Sequence, residues 1–148
     1  APKLRDRRWH IIHQTGLRDE ARVKDAYQAA GVGPEVHPFI DDMAYAYRDA
    51  DLVVWRAGAS TIAELTVCGR PAILVPYPHA VDDHQSENAK VVEQAGGAIH
   101  LPQTQLSAER LFEELDRLDR ERETLREMAR ASHRQGRPEA LVVIADAL

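Results

Sequence analysis

Cysteine is nearly absent from this chain. Cys68 is the only one in 148 residues, so no internal disulfide can form, which fits a reducing compartment. Long hydrophobic runs are missing too, and no apolar stretch approaches the roughly 20 residues that span a bilayer. Positive charge is not gathered anywhere. The formal net charge is −5 and no basic stripe is visible, which argues against a nucleic-acid backbone as the main partner. There is no internal repeat and no low-complexity segment. The histidines and aspartates match no strong zinc spacing, so neither a metal nor a cofactor is expected. What remains is one domain's length of chain, enough to bury a real core.

Apolar runs alternate with helical patterns. Strands are expected at "WHIIH" (9–13), "EVHPFI" (35–40, irregular at Pro38), "LVVW" (52–55), "AILVP" (72–76) and "AIHL" (98–101). Helices are expected over 17–31, where Leu17, Ala21, Val23, Ala26, Tyr27 and Ala30 make most of a face and Gly31 is a stop, and over 41–50, with acidic residues at its start. Further helices are expected over 61–69, closed by Gly69, and over 83–96, again with glycine at the end. From Ser107 onward the chain reads as helical. Ser107 opens a capping-box pattern one residue short of ideal, and Glu109 suits the dipole. Leu111, Leu115, Leu118, Leu125 and Met128 form an apolar stripe. We read that stripe as a helix pair packed on a core, because Arg122 interrupts a coiled-coil seam. Gly136 and Pro138 precede a last apolar helix, 139–148.

Strands alternating with helices at short spacing imply an α/β fold, a parallel sheet covered on both faces. The near-continuous apolar strands 52–55 and 72–76 agree. Ligands of such sheets sit at the carboxyl ends of the strands, here the loops after His13, Phe39, Trp55 and Val75.

The loop "RAGAST" (56–61) leads into a helix. A helix N-terminus offers unpaired N–H groups and positive potential to an anion. Gly58 permits close approach of a ligand to the backbone. Ser60 or Thr61 can cap the helix or donate to a phosphate oxygen. The loop is neither the lysine-bearing phosphate loop nor the three-glycine dinucleotide fingerprint, and alone it serves equally as a strand-to-helix turn. Thr61 and Glu64 fit a capping box, in which Glu64 satisfies its own helix. The functional alternative has the Glu64 carboxylate accepting hydrogen bonds from sugar hydroxyls. The loop 76–89, "PYPHAVDDHQSENA", holds His79, Asp82, Asp83, His84, Gln85 and Asn88. Either aspartate can cap the next helix, and Gln85 in the first turn suits a sugar ring. The loop "HQTG" again places a small polar group after a strand.

Taken together, "HQTG", "FIDDM", "DLVVWRAGASTIAEL" and "GRPAILVPYPHAVDDHQSENA" closely resemble the C-terminal domain of the MurG family. These are bacterial UDP-N-acetylglucosamine transferases that convert lipid I to lipid II in peptidoglycan synthesis. The resemblance covers nearly the whole chain, in order and with similar spacing. It implies a Rossmann-like parallel sheet, the donor-binding half of a two-domain GT-B glycosyltransferase, ending in a helical segment over 107–148. It implies that Ile40 and Met43 line a uracil pocket, with backbone groups near Ile40 reading the base edge. The "AGAST" turn, with Gly58, Ala59, Ser60 and Thr61, would face the diphosphate, Arg56 would be a further donor-binding residue, Glu64 would hold the ribose hydroxyls, and His84 and Gln85 would lie near the N-acetylglucosamine. Relatives often carry two adjacent glutamines where this chain has His84 and Gln85.

The family's N-terminal domain, which holds the lipid-linked acceptor and the general base, has no counterpart in the sequence. Nor does the first strand with its glycine-rich loop. The chain opens "APKLRDRR", without methionine, and reads as part of something longer. We therefore expect no catalytic residue in this chain, no turnover by it alone, and a gap in the sheet or a segment that fills it. The resemblance further implies a cytoplasmic enzyme, peripheral on the inner face of the membrane, whose membrane contact lies in the other half. In the implied reaction the 4-hydroxyl of the lipid-linked muramyl sugar attacks the anomeric carbon and UDP leaves. Two alternatives stand beside it. One is a non-catalytic UDP-sugar binding subunit of a split transferase. The other is a sugar-nucleotide epimerase, for which no paired carboxylates are placed.

Overall fold

The computed structural model describes residues 2–78 and 83–137. His79, Asp82 and the helix expected over 139–148 lie outside the described residues. In chain order the elements are β1 Ile12–Gln14, α1 Glu20–Ala29, β2 Glu35–His37, α2 Met43–Asp49, β3 Val53–Trp55, α3 Ala59–Val67, β4 Ala72–Leu74, α4 His84–Gln94, β5 Ala98–His100, α5 Ala108–Arg120 and α6 Arg122–Gln135. The chain divides into two compact units, residues 1–46 and 47–148.

In the first unit β1 and β2 pair in parallel, with His13 opposite Val36. Parallel partners need a crossover, and α1 supplies it. The Tyr27 hydroxyl of α1 is hydrogen-bonded to His13 Nδ1 at 3.1 Å. The strand expected over 35–40 stops at His37, because Pro38 has no N–H to continue the ladder. Helix α1 starts later than its apolar pattern suggests. Gly16 turns the chain with φ +75, Asp19 takes the N-cap position, and Leu17 is left 84% exposed rather than on the helix face. None of the described side chains of this unit is fully buried.

The second unit holds a parallel sheet in the order β3-β4-β5. The central strand meets the expectation of burial on both faces, with Ala72, Ile73 and Leu74 all sealed from solvent. The outer strand β3 does not. Val53 is buried but Val54, pointing to the opposite face, is 39% exposed. A run of four apolar residues therefore overstated its burial. Ile73, Val75, Leu101, Leu118, Leu125 and Met128 form one core cluster, with Leu111 and Leu115 packed against it. The apolar stripe of the C-terminal region is thus a wall of the core. The break falls where Arg122 interrupts the stripe: Glu121 leaves helical geometry with φ −93 and ψ 61, and α6 begins at Arg122.

Ser107 caps α5, its Oγ accepting from the Arg110 N–H at 3.0 Å. Replacing it by alanine leaves that amide without its side-chain acceptor. Ser107→Ala is expected to lower stability by about 1 kcal/mol, read as a lower urea midpoint at unchanged slope.

Candidate functional site

In the second unit the carboxyl ends of three parallel strands share one edge, as the fold class requires. After β3 the chain runs through Arg56 and Ala57 to Gly58, which is the N-cap residue of α3 with an extended backbone (φ −66, ψ 148) and no side-chain cap bond. The first intrahelical bond runs from the Ile62 N–H to the Gly58 carbonyl. The amides of Ala59, Ser60 and Thr61 therefore precede the hydrogen-bonded ladder, as the first amides of any helix do. Among the described residues a methyl group on Gly58 would meet only Thr61 Oγ1, at 3.8 Å. Neither its backbone angle nor its packing within the fold requires a glycine there.

Helix α3 begins two residues before Thr61, and this overturns the capping-box reading. Thr61 is the third helical residue, so Glu64 is too far along to reach back to the cap. Its partner lies on another helix. The Tyr47 hydroxyl, from α2, donates to Glu64 Oε2 at 3.0 Å. Tyr47 is 4% exposed, whereas Glu64 is exposed. Burial first, and then the neighbouring Glu64 carboxylate, push the Tyr47 phenol well above its ordinary range. It therefore stays a donor at neutral and mildly alkaline pH.

Arg56 is engaged within the protein. Its Nη1 donates to the carbonyls of Val75 (3.3 Å) and Pro76 (3.2 Å) and to Gln103 Oε1 (2.7 Å), and its guanidinium lies over the Tyr77 ring, 5.5 Å from the centroid. One side chain thus joins the loops that follow β3, β4 and β5. Asn88, from α4, donates to the Ala57 carbonyl at 3.2 Å and holds the turn before Gly58. Gln85, the second residue of α4, accepts the Tyr77 N–H through Oε1 at 2.9 Å, which leaves its amino group as the donor. His84 is exposed at the first position of α4. Asp83 stands at the N-cap with φ 53. Its carboxylate accepts from the Ser86 hydroxyl at 2.5 Å rather than from a backbone amide.

In the first unit the loops after β1 and β2 are stitched together. The Thr15 N–H donates to the His37 carbonyl and the Gly16 N–H to the Pro38 carbonyl. The Ile40 N–H donates to Gln14 Oε1 at 2.8 Å. The amide proposed to read a base edge is therefore already occupied by the glutamine of "HQTG". Asp42 caps α2 by accepting the Tyr45 N–H at 2.8 Å. Met43, the first residue of α2, is half-buried.

Sequence reasoning missed Tyr47, Gln14 and Gln103. A buried tyrosine needs a partner for its hydroxyl, so Tyr47 on a short helix was the one readable signal. The pairing of Gln14 with an amide 26 residues away left none. Among the described residues no group of three or more histidine, cysteine, aspartate or glutamate side chains could hold a metal ion.

Comparison with known proteins gives this architecture its family. The model of the glycosyltransferase family 28 C-terminal domain matches residues 1–144, and the chain belongs to that family. Its fold is the Rossmann-like C-terminal half of a GT-B glycosyltransferase. Among curated relatives, a protein of Anaeromyxobacter sp. (strain K) is 48% identical over 147 residues, 98% of this chain and 38% of its own length. One from Neisseria meningitidis serogroup C is 55% identical over 117 residues, 79% of this chain and 33% of its own. Both carry the name UDP-N-acetylglucosamine–N-acetylmuramyl-(pentapeptide) pyrophosphoryl-undecaprenol N-acetylglucosamine transferase. The crystal structure of Acinetobacter baumannii MurG superposes with a TM-score of 0.88 at 36% identity, over 99% of this chain and 45% of that one. A glycosyltransferase of kitacinnamycin, at 22% identity and a TM-score of 0.61, shares the fold. The chain spans less than two-fifths of the length of the two curated relatives.

Proposed function

We propose that this chain is the donor-binding half of an inverting hexosyltransferase that moves N-acetylglucosamine from UDP-N-acetylglucosamine to a lipid-linked muramyl-pentapeptide, lipid I to lipid II. The observation that carries the reading is the start of α3. Among the described residues nothing in the packing calls for a glycine at the cap, and no side chain caps the first turn. Such a terminus suits a diphosphate, whose developing charge it would stabilise as UDP departs, without a metal. Ala59, Ser60 and Thr61 supply amides and two hydroxyls to that group. Glu64 accepts from the ribose diol, Ile40 and Met43 hold the uracil, and the Gln85 amino group and His84 lie toward the sugar. Arg56 acts on the diphosphate indirectly, by bracing the loops. The Ile40 amide reads the base only after Gln14 yields it, so the base carbonyl replaces Gln14 Oε1.

In this reading the acceptor lipid and the general base belong to the other half of the enzyme, and the whole works at the inner face of the cell membrane. No described helix is long and apolar enough to cross a membrane. The alternative of a non-catalytic subunit gains nothing from the relatives, which are named as transferases.

Calorimetric titration of the 148-residue chain tests the reading. UDP and UDP-N-acetylglucosamine should bind, and ADP should bind at least tenfold more weakly, a difference of about 1.4 kcal/mol. Gly58→Ala should weaken UDP by about fivefold, while the poorer cap costs at most about 1 kcal/mol of stability. Equal binding of UDP and ADP, or an indifferent Gly58→Ala, would count against it.

A further inference from the structure

We propose that Tyr47 is a positioning residue for ribose recognition: its hydroxyl fixes Glu64 Oε2, so that the carboxylate is presented to a vicinal diol in one orientation. The inference rests on the donor-site reading above and adds to it a residue that does not touch the nucleotide.

The argument starts from the side chain. A glutamate on an exposed helical surface turns about three bonds and loses that freedom when it grips a ligand. A carboxylate has two oxygens and only accepts hydrogen bonds. Here one oxygen takes the Tyr47 hydroxyl at 3.0 Å, and among the described residues the other, Oε1, takes none. The hydroxyl comes from a side chain that is itself sealed in the protein, so it is a fixed point rather than a second mobile group. Glu64 sits in the second turn of α3 and Tyr47 in α2, and the bond sets the direction in which Oε1 points from the helix. A bond from a neutral donor also leaves the carboxylate its charge, which strengthens what it accepts from a sugar hydroxyl.

The test separates positioning from a merely structural role. UDP and 2′,3′-dideoxy-UDP are titrated against the wild-type chain, Tyr47→Phe and Glu64→Ala, with circular dichroism and thermal melting to confirm folding. Phenylalanine keeps the ring and its packing and removes only the oxygen. Tyr47→Phe should weaken UDP by about fivefold, the worth of one ordinary hydrogen bond, and leave dideoxy-UDP unchanged. An equal loss for both ligands, or no loss for either, overturns the inference. If Glu64→Ala removes the preference for the diol but Tyr47→Phe keeps it in full, positioning fails and the donor-site reading stands. If the wild-type chain shows no preference for UDP over dideoxy-UDP, the ribose role of Glu64 fails and the inference with it. Absence of measurable UDP binding would overturn both.

Discussion

Gly97→Ala is expected to destabilise the chain by about 2 kcal/mol, within the range for overpacking a filled interior. A Cβ at Gly97 would stand 2.9 Å from Ser132 Cα, 3.0 Å from Ser132 N and 3.2 Å from a Val92 methyl. Two of those atoms are backbone of α6, so no rotamer change relieves the clash. Ser132 is 1% exposed and bonds through its hydroxyl to the Leu65 carbonyl of α3. Moving α6 away would open the core between Met128, Leu125 and β4, and an opened core carries its own cost. The measurement is a urea melt followed by circular dichroism, and an unchanged midpoint would refute the close contact. Gly58 makes the contrast. The same substitution there makes only an ordinary 3.8 Å contact with Thr61 Oγ1, so beyond the small capping cost its effect should fall on the ligand.

Glu64→Ala should weaken UDP by between about ten- and a hundredfold, because hydrogen bonds to a charged group contribute about 1.5–3 kcal/mol. The fold should tolerate the change. Glu64 is exposed in the interior of α3, where alanine is the best helix former. The opposing term is Tyr47, whose buried hydroxyl loses its acceptor at a cost of about 1 kcal/mol. The helix gain is only roughly a few tenths of a kcal/mol, so a small net loss remains, and melting temperature should fall by a few degrees while affinity collapses. Retained affinity in a folded Glu64→Ala chain would remove the ribose from this carboxylate.

The order of strands and helices was legible in the sequence because its punctuation is physical. Gly69 and Gly96, both with positive φ, end their helices where the pattern stops. Pro38 cuts β2 short, and Arg122 marks the break between α5 and α6. The start of α3 was misjudged by two residues because Ala59 and Ser60 fit a loop and a helix equally well, and that error made a capping box out of Thr61 and Glu64. Within each unit, candidate residues far apart in the chain are paired. Tyr47 reaches Glu64 across 17 positions, and Gln14 reaches Ile40 across 26. No periodicity encodes such pairs. Arg56 illustrates the same limit: a cation beside a helix N-terminus invites a direct contact with an anion, yet its Nη1 bonds to carbonyl oxygens of the protein.

That use of Arg56 has an effect on what a ligand meets. A guanidinium that joins Val75, Pro76 and Gln103 and rests on Tyr77 locks three strand ends into one preorganised rim. The entropy of ordering those residues is lost when the chain folds, and for the ligand proposed above it would not be lost again at each encounter. Lysine could still donate to these acceptors, since all three bonds come from the single nitrogen Nη1, but its compact ammonium lacks the planar face that rests on the Tyr77 ring.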